Sequence, residues 1–232
     1  MGKKGGSKHL NRIAAPEFAA PERKTAIWLA KPRAGRHPLV YSASLRALVR
    51  DSLGLAADAR EAERIVQAGE VLIDGKVVRD AKAAIGLMDI LAFPKIGKFY
   101  MVLMNKKSRI MLKGIDKAKA GTKLCKIVGK RTVSGGKVQL SLHDGRTLLA
   151  DNSYHLGDSV KLKVPECTIA GTLRLEPGAR CFIMRGRHVG VTARLTEITK
   201  GTEALEPRAT LEADGQKIIT LKEYLFVVGD EI

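Results

Sequence analysis

Arg60 and Arg64 in AREAER (59–64), and Arg46 and Arg50 in LRALVR (45–50), are the side chains whose type and spacing could do chemistry. A guanidinium presents a planar fork of donors that matches a phosphate. Residues four apart stack on one side of a helix, so each pair could span neighbouring phosphates of a nucleic-acid backbone. Two like charges at that spacing cost an isolated helix about 0.2–0.5 kcal/mol, which an external anion would offset. The helix is equally consistent with a solvated face in which Glu61 pairs with Arg64 and Arg60 with Glu63.

The elements that must position these arginines are short. Leu45, Leu48, Val49 and Leu53 recur at helical spacing and Gly54 is a natural stop. Asp58 and Glu61 form a D-x-x-E capping box, Ala59, Ala62, Ile65 and Val66 make the apolar side of a second helix, and Gly69 ends it. Val71, Leu72 and Ile73 then lead through Asp74-Gly75, a type I′ turn signal, into Val77 and Val78. The predicted unit is α-α-β-β.

Other chemistry finds no support. His143 and Asp144 sit in a turn-like HDG, where an Asx turn explains the pair better than acid–base catalysis. His9, His37, His155 and His188 lack ligand spacing, and neither GxxxxGK[ST] nor GxGxxG occurs. Gly186 and Gly190 in RGRHVG suit a bulge or tight turn better than a phosphate loop. Cys125, Cys167 and Cys181 form no CxxC pair and are odd in number, so they read as reduced core cysteines. No catalytic residue, metal site or cofactor is expected.

Charge points to a polyanionic partner. Forty-one Lys and Arg against 24 Asp and Glu leave a net +17, and a balance this basic favours nucleic acid. It is unevenly spread: residues 1–42 net +7 and residues 106–137 net +10, while 43–105 and 138–232 net +1 and −1. Aromatic residues are 4% of the chain with Trp28 the single tryptophan, which disfavours a mode built on many stacked bases. No apolar run of about 18 residues predicts a membrane span, and MGKKGGS lacks both a secretory h-region and the Ser or Thr that myristoylation requires.

Residues 1–42, with prolines at 16, 21, 32 and 38, read as a basic extended arm without a long helix or central strand, which orders against phosphates. After Phe93-Pro94, FYMVLM, SRIML, KLCKIV, KVQLSL and SVKLKV are strands, with Ser134-Gly135-Gly136 and Asp144-Gly145 as hairpin loops; their spacing suggests a small barrel or sandwich. A third module begins near Leu173 with RCFIMRGRHVGVTARLTEI and ends in EYLFVV. The expected organisation is α+β and multidomain. It comprises an arm (1–42), a helix–hairpin module (43–105), a central β-barrel-like domain (106–172) and a C-terminal β module (173–232).

HLNRIAAPEF (9–18), Trp28, KPRAGRHPL (31–39), AREAERIVQAGEVLIDGKVVRD (59–80), GLMDILAF (86–93), HDGRTL (143–148), LGDSVKL (156–162) and RGRHVGVTARL (185–195) follow one another in an order that resembles a known family. It is the "four-e" family of small-subunit ribosomal proteins of archaea and eukaryotes. The resemblance implies a helix–hairpin module that meets RNA through the basic side of its helices, here Arg46, Arg50, Arg60 and Arg64 with Lys76 and Arg79. It also implies a KOW-type, SH3-like C-terminal module, in which the family pattern has a third glycine where this chain has Ala193.

The implied function is structural: binding small-subunit ribosomal RNA, beside neighbouring ribosomal proteins, in the cytoplasmic ribosome. No small-molecule substrate or membrane partner is expected. Expected phosphate contacts are Lys3, Lys4, Lys8, Arg12, Arg23, Lys24, Arg33 and Arg36 of the arm, Lys106, Lys107, Arg109, Lys113, Lys130 and Arg131 of the second basic stretch, and Arg185 and Arg187 of RGRHVG. Two alternatives are a non-ribosomal RNA-binding regulator and an RNA-modifying enzyme carrying the same module. The second would need a catalytic domain with a cofactor loop or a dedicated aspartate, and neither motif is present.

Overall fold

The computed structural model describes residues 7–20, 22, 24–202, 205–213 and 215–229. Two compact units emerge, one of residues up to Val102 with Arg109–Ala120, the other of Leu103–Ser108 with the chain from Gly121 onward. Strands dominate and helices are few and short.

The first unit begins with the arm, which folds against protein. Strands β1 (Leu10–Asn11) and β2 (Trp28–Leu29) pair antiparallel, and a 3-10 turn at Glu17–Ala19 buries Phe18. Leu29 and Ala15 pack on Ala47, with Leu10 and Ala19 beside them. Arg36 Nη1 donates to the fully buried Asp74 at 2.8 Å, and His37 Nε2 lies 2.9 Å from Asp89 Oδ2, which also accepts from Gly86 N at 3.0 Å. A Cβ at Gly86 would fall 2.4 Å from the His37 ring, so only glycine lets the arm close here. Prolines and glycines exclude long elements, as expected. The ordering partner is the helix–hairpin module, because buried carboxylates must be matched by donors and the arm carries them.

Strand β3 (Ala43–Ser44) leads into helix α1 (Leu45–Ala47), capped by the Ser44 hydroxyl, which accepts from Ala47 N at 3.4 Å. The helix then widens into a π-turn over Leu48–Ser52, closed by Leu53 N to Leu48 O at 2.9 Å, and Gly54 stops it with φ +61°. Leu45, Leu48 and Val49 are fully buried. The regular 3.6-residue period behind the Arg46/Arg50 pairing therefore breaks between those two residues.

Helix α2 (Ala59–Gln67) follows Asp58, whose side chain makes no cap. Glu61 reaches back to Ala57 N at 2.8 Å, so only the reverse half of the expected capping box forms, displaced by one residue. Strands β4 (Leu72–Ile73) and β5 (Lys76–Val77) make the expected hairpin, Asp74 and Gly75 both having positive φ as a type I′ turn requires. Strand β6 (Ala84–Ile85) pairs with β3; β7 (Ile90–Phe93), β8 (Lys98–Met104) and β9 (Ile110–Gly114) complete a sheet in the order β5-β4-β7-β8-β9. The hairpin is thus the margin of a five-stranded sheet.

The second unit holds two five-stranded antiparallel sheets. In the first, β10 (Thr122–Thr132), β11 (Val138–Leu142), β12 (Thr147–Ala150), β13 (Ser159–Lys163) and β14 (Thr168–Leu173) run in the order β12-β11-β10-β13-β14. A register shift between Ile127 and Gly129 lets β10 pair with β13 through its first half and β11 through its second. Cys125, Ile127, Leu140, Val160 and Leu162 are its core. In the second sheet, β15 (Arg180–Ile183), β16 (Thr192–Thr199), β17 (Arg208–Ala213), β18 (Gln216–Leu221) and β19 (Leu225–Val227) run β18-β17-β16-β15-β19 over Cys181, Ile183, Leu195, Leu211 and Leu225.

One sequence expectation is corrected here, and the place of Ala193 is fixed. All three cysteines are free, but Cys167 is half-exposed at φ +63° in a turn, outside the core. Ala193 lies within β16, opposite Cys181 and buried, so it takes no part in the RGRHVG turn. That turn is set by Gly186 and Gly190. A Cβ on Gly190 would come 2.5 Å from the Asn105 carbonyl carbon.

Candidate nucleic-acid interface

Helix α2 exposes Arg60 and Arg64, and the helix's own carboxylates do not answer them. Glu61 is held by Ala57 N and Glu63 by Arg46, so the pairs of a self-neutralised solvated face do not form. Lys76 and Arg79 are exposed on and after the hairpin. Arg79 lies over the end of α2, its Nε 3.6 Å from where a Gly69 Cβ would stand, a favoured place for a cation by the helix dipole.

The other arginine pair is engaged internally. Arg46 ties α1 to α2 through Glu63, and Arg50 grips Asp51 with Nε at 2.5 Å and Nη2 at 3.0 Å, a hydrogen bond that raises its pKa against the effect of burial. Arg46 braces the two helices and Arg50 is paired with the next residue in the chain, so of the four helix arginines Arg60 and Arg64 are the exposed ones.

In the arm, Lys8, Lys24 and Arg33 are exposed, and Arg33 meets Asp80 at 3.2 Å in a solvent-open pair of little energetic weight. Arg12 is 5% exposed. Its guanidinium donates to Trp28 O at 3.2 Å, Glu22 O at 3.0 Å and Thr25 Oγ1 at 2.8 Å, with Asp51 at 3.9 Å. A guanidinium so desolvated and satisfied holds a loop. Arg12 is withdrawn from the expected phosphate contacts by this burial, whereas Arg36 gives Nη1 to Asp74 and keeps 31% of its side chain exposed. Lys3, Lys4 and Arg23 lie outside the described residues.

The second basic stretch divides between surface and core. Lys106, Lys107, Arg109, Lys113 and Arg131 are exposed. Lys130 is half-buried, donating to the carbonyls of Asn152 and Tyr154 at 2.8 Å each. Two lysines counted in the net +10 are buried outright. Lys123 Nζ meets Asp144 Oδ2 at 3.0 Å with both side chains fully buried, and Arg146 Nε lies 3.4 Å from the same oxygen. Burial alone would raise the Asp144 pKa, but Lys123, His143 and Arg146 outweigh it and hold the carboxyl below the ordinary value. Lys126 donates to the Glu223 carbonyl, and burial pushes its pKa down to about 8. The expected Asx turn is present, Arg146 N to Asp144 Oδ1 at 3.2 Å, and the second carboxylate oxygen serves the core.

The burial of Lys123 left a signal in the sequence. Lys123, Cys125 and Ile127 alternate in one phase of a strand, which puts the lysine on the core face. In the same unit Arg187 is exposed at the RGRHVG turn, while Arg185 lies 3.5 Å from Glu223. Among the described residues no group of three or more His, Cys, Asp or Glu could hold a metal ion, and no helix is long and apolar enough to cross a membrane. What the exposed groups can do is donate to and neutralise phosphates.

Two family models match the chain: the S4 domain over residues 48–91, which contains α2 and the hairpin, and the ribosomal family S4e over residues 96–169. The chain is 39% identical over 225 residues to small ribosomal subunit protein eS4 of Methanothermobacter thermautotrophicus, covering 97% of this chain and 93% of that protein. To the eS4 protein of Methanococcus vannielii it is 38% identical over 240 residues, covering 100% and 98%. Among solved structures, the crystal structure of the 30S ribosomal protein S4e from Thermoplasma acidophilum superimposes with a TM-score of 0.71 at 32% identity, covering 82% of this chain and 95% of that one.

Proposed function

The chain belongs to the ribosomal S4e family, and on that premise we propose that it is a structural constituent of the small ribosomal subunit, binding its RNA through phosphate and shape contacts. Its role is architectural, without chemistry on a substrate, and its place is the ribosome in the cytoplasm. RNA helices are recognised mainly through phosphates, 2′-hydroxyls and A-form geometry, which suits arginines held on a short rigid module.

One observation carries the reading at residue level: Arg60 and Arg64 are exposed side by side while Glu61 and Glu63 are engaged elsewhere. They orient the molecule. Lys8, Lys24, Lys106, Lys107, Arg109, Lys113 and Arg131 supply further attraction, with Lys76, Arg79 and Arg187 completing the set. Neutralising about ten phosphates makes log affinity fall with log salt at a slope of about −7 to −9. A slope near −2 in a filter-binding titration with small-subunit RNA would overturn this.

We read the C-terminal sheet as a KOW-type module from its five antiparallel strands and its glycine-dependent loop between β15 and β16. The near-neutral stretch 138–232 carries exposed apolar side chains, Leu149, Leu156 and Ile219 among them, and faces solvent or neighbouring proteins more than RNA. Footprinting within the particle tests this: protection of residues 205–229 by RNA alone would contradict it.

A further inference from the structure

Trp28 is the chain's single tryptophan and its indole is 57% exposed. The β1–β2 ribbon explains why. Leu10 faces Leu29 across the ribbon and both turn inward to Ala15 and Ala47, so alternation turns their neighbours Asn11 and Trp28 outward. The His9 ring stands beside the indole, centroids 5.3 Å apart at 49°.

The backbone that carries the indole is fixed. Buried Arg12 donates from Nε to the Trp28 carbonyl and from its backbone N to Ile27 O at 3.0 Å, while its remaining donors hold Glu22 and Thr25. The most enclosed arginine of the arm thus fixes the strand that presents the indole. The two segments that form the ribbon, residues 7–11 and 24–31, contain Lys8, Lys24 and Lys31 and no carboxylate, with Glu22 just beyond them, its carbonyl held by Arg12; Lys31 donates to Ser7 O, joining the two segments.

We propose that Trp28, flanked by His9, is a stacking platform for one unpaired base of the small-subunit RNA. The inference rests on the RNA-binding reading above and adds to it a contact that phosphates cannot supply. An indole face accepts any base without hydrogen-bond readout, and unpaired bases are where proteins reach RNA by stacking. The lysine surround favours a polyanion carrying an aromatic base over an apolar protein surface.

Because Trp28 is the only tryptophan, emission excited on the red edge of the indole absorption, where the four tyrosines do not absorb, reports on it alone. Titration with full-length small-subunit ribosomal RNA should quench the emission and shield the indole from acrylamide. Trp28→Ala should weaken binding roughly 5- to 150-fold with an unchanged salt slope, and Trp28→Phe should retain most of the affinity. Circular dichroism should give both variants the wild-type melting temperature, since the side chain is exposed. Wild-type affinity in Trp28→Ala overturns the platform. So does an indole still open to acrylamide in the complex, or shielded only when a second small-subunit protein is added. If the wild-type chain fails to bind the RNA, the RNA-binding reading falls with the platform; steep, salt-dependent binding with a silent Trp28 removes the platform alone.

Discussion

Helix α2 with its hairpin and strand β10 both carry basic residues, and the fold treats them in opposite ways. Residues 58–78 net −2, yet Arg60 and Arg64 reach solvent because Glu61 and Glu63 are held by Ala57 and Arg46. Residues 106–137 net +10, yet Lys123 and Lys126 are drawn inside, one to a carboxylate and the other to a carbonyl. A local charge total therefore misstates both regions. What an external anion meets depends on which charges the protein has already matched.

The strongest way to break this contrast is to unmatch a charge in β10. Asp144→Ala removes the carboxylate that buried Lys123 and Arg146 share, so unfolding free energy should drop by about 3–5 kcal/mol. Lys123→Met combined with Asp144→Leu should recover most of it, because an apolar pair avoids desolvating two ions. Denaturant titration reads both, and a loss under about 1 kcal/mol in Asp144→Ala would mean that the lysine finds water. The same pair predicts acid sensitivity. With the folded pKa of Asp144 below its unfolded value of 3.8, its contribution is present above that pH and is lost as pH falls further.

For Lys126 the charged form is the costly one, and stability again rises with pH. The lysine titrates near 8 when folded and 10.5 when unfolded, so below about pH 8 both states carry the proton and the burial cost is felt in full. Between those values the unfolded chain holds more protons, and stability rises with pH. Relative to Lys126→Met, the wild-type chain should gain about 2–3 kcal/mol from pH 7.5 to 10.5. Cys181 beside it stays protonated across that window, its pKa pushed up to about 12 by burial. A flat difference between the two proteins across that range would place Lys126 in contact with solvent.

What the sequence conveyed divides along the same line. Features fixed within a few residues were legible: the Asp74-Gly75 turn, the stops at Gly54 and Gly69, the Asx turn at Asp144 and the strands β8, β9, β10, β11, β13, β15, β16 and β19, whereas β12, β14, β17 and β18 were not singled out. Features fixed by partners far along the chain were not. Arg36 meets Asp74 and His37 meets Asp89 across 38 and 52 positions, so an arm read as extended gave no sign of closing on its own module. The π-turn at Leu48–Ser52 was hidden because apolar spacing reports which side is buried and not how wide the turn is. In β10 the alternation of Lys123 with Cys125 and Ile127 does place that lysine on the core face, but Lys126 on the opposite face is enclosed by Glu223, 97 positions further on, which no local pattern conveys.

Arg46→Gln probes the bracing pair at a smaller scale. The Arg46–Glu63 pair is partly exposed, so its loss should cost about 0.2–1 kcal/mol of stability by denaturant titration. The salt slope of RNA binding should stay as it was. A slope that fell with this substitution would mean that Arg46 leaves Glu63 for a phosphate, and the two arginine pairs would then be equivalent after all.

The smallest effect on stability is expected where the effect on binding is clearest. Arg60→Gln with Arg64→Gln removes two exposed cations four apart on one helix, so stability should change by less than about 0.5 kcal/mol, and relief of their mutual repulsion makes a slight gain the expected direction. If each side chain neutralises one phosphate, the salt slope should become shallower by roughly 1.4–1.8, the higher figure applying to duplex-like charge density and the lower to single strands. The pairing of these two results makes the test selective. A stability loss near that of Arg46→Gln would assign the arginines to the fold, and an unchanged slope would return them to solvent. Only an unchanged fold with a shallower slope fits two arginines held ready for an anion that the protein itself does not supply.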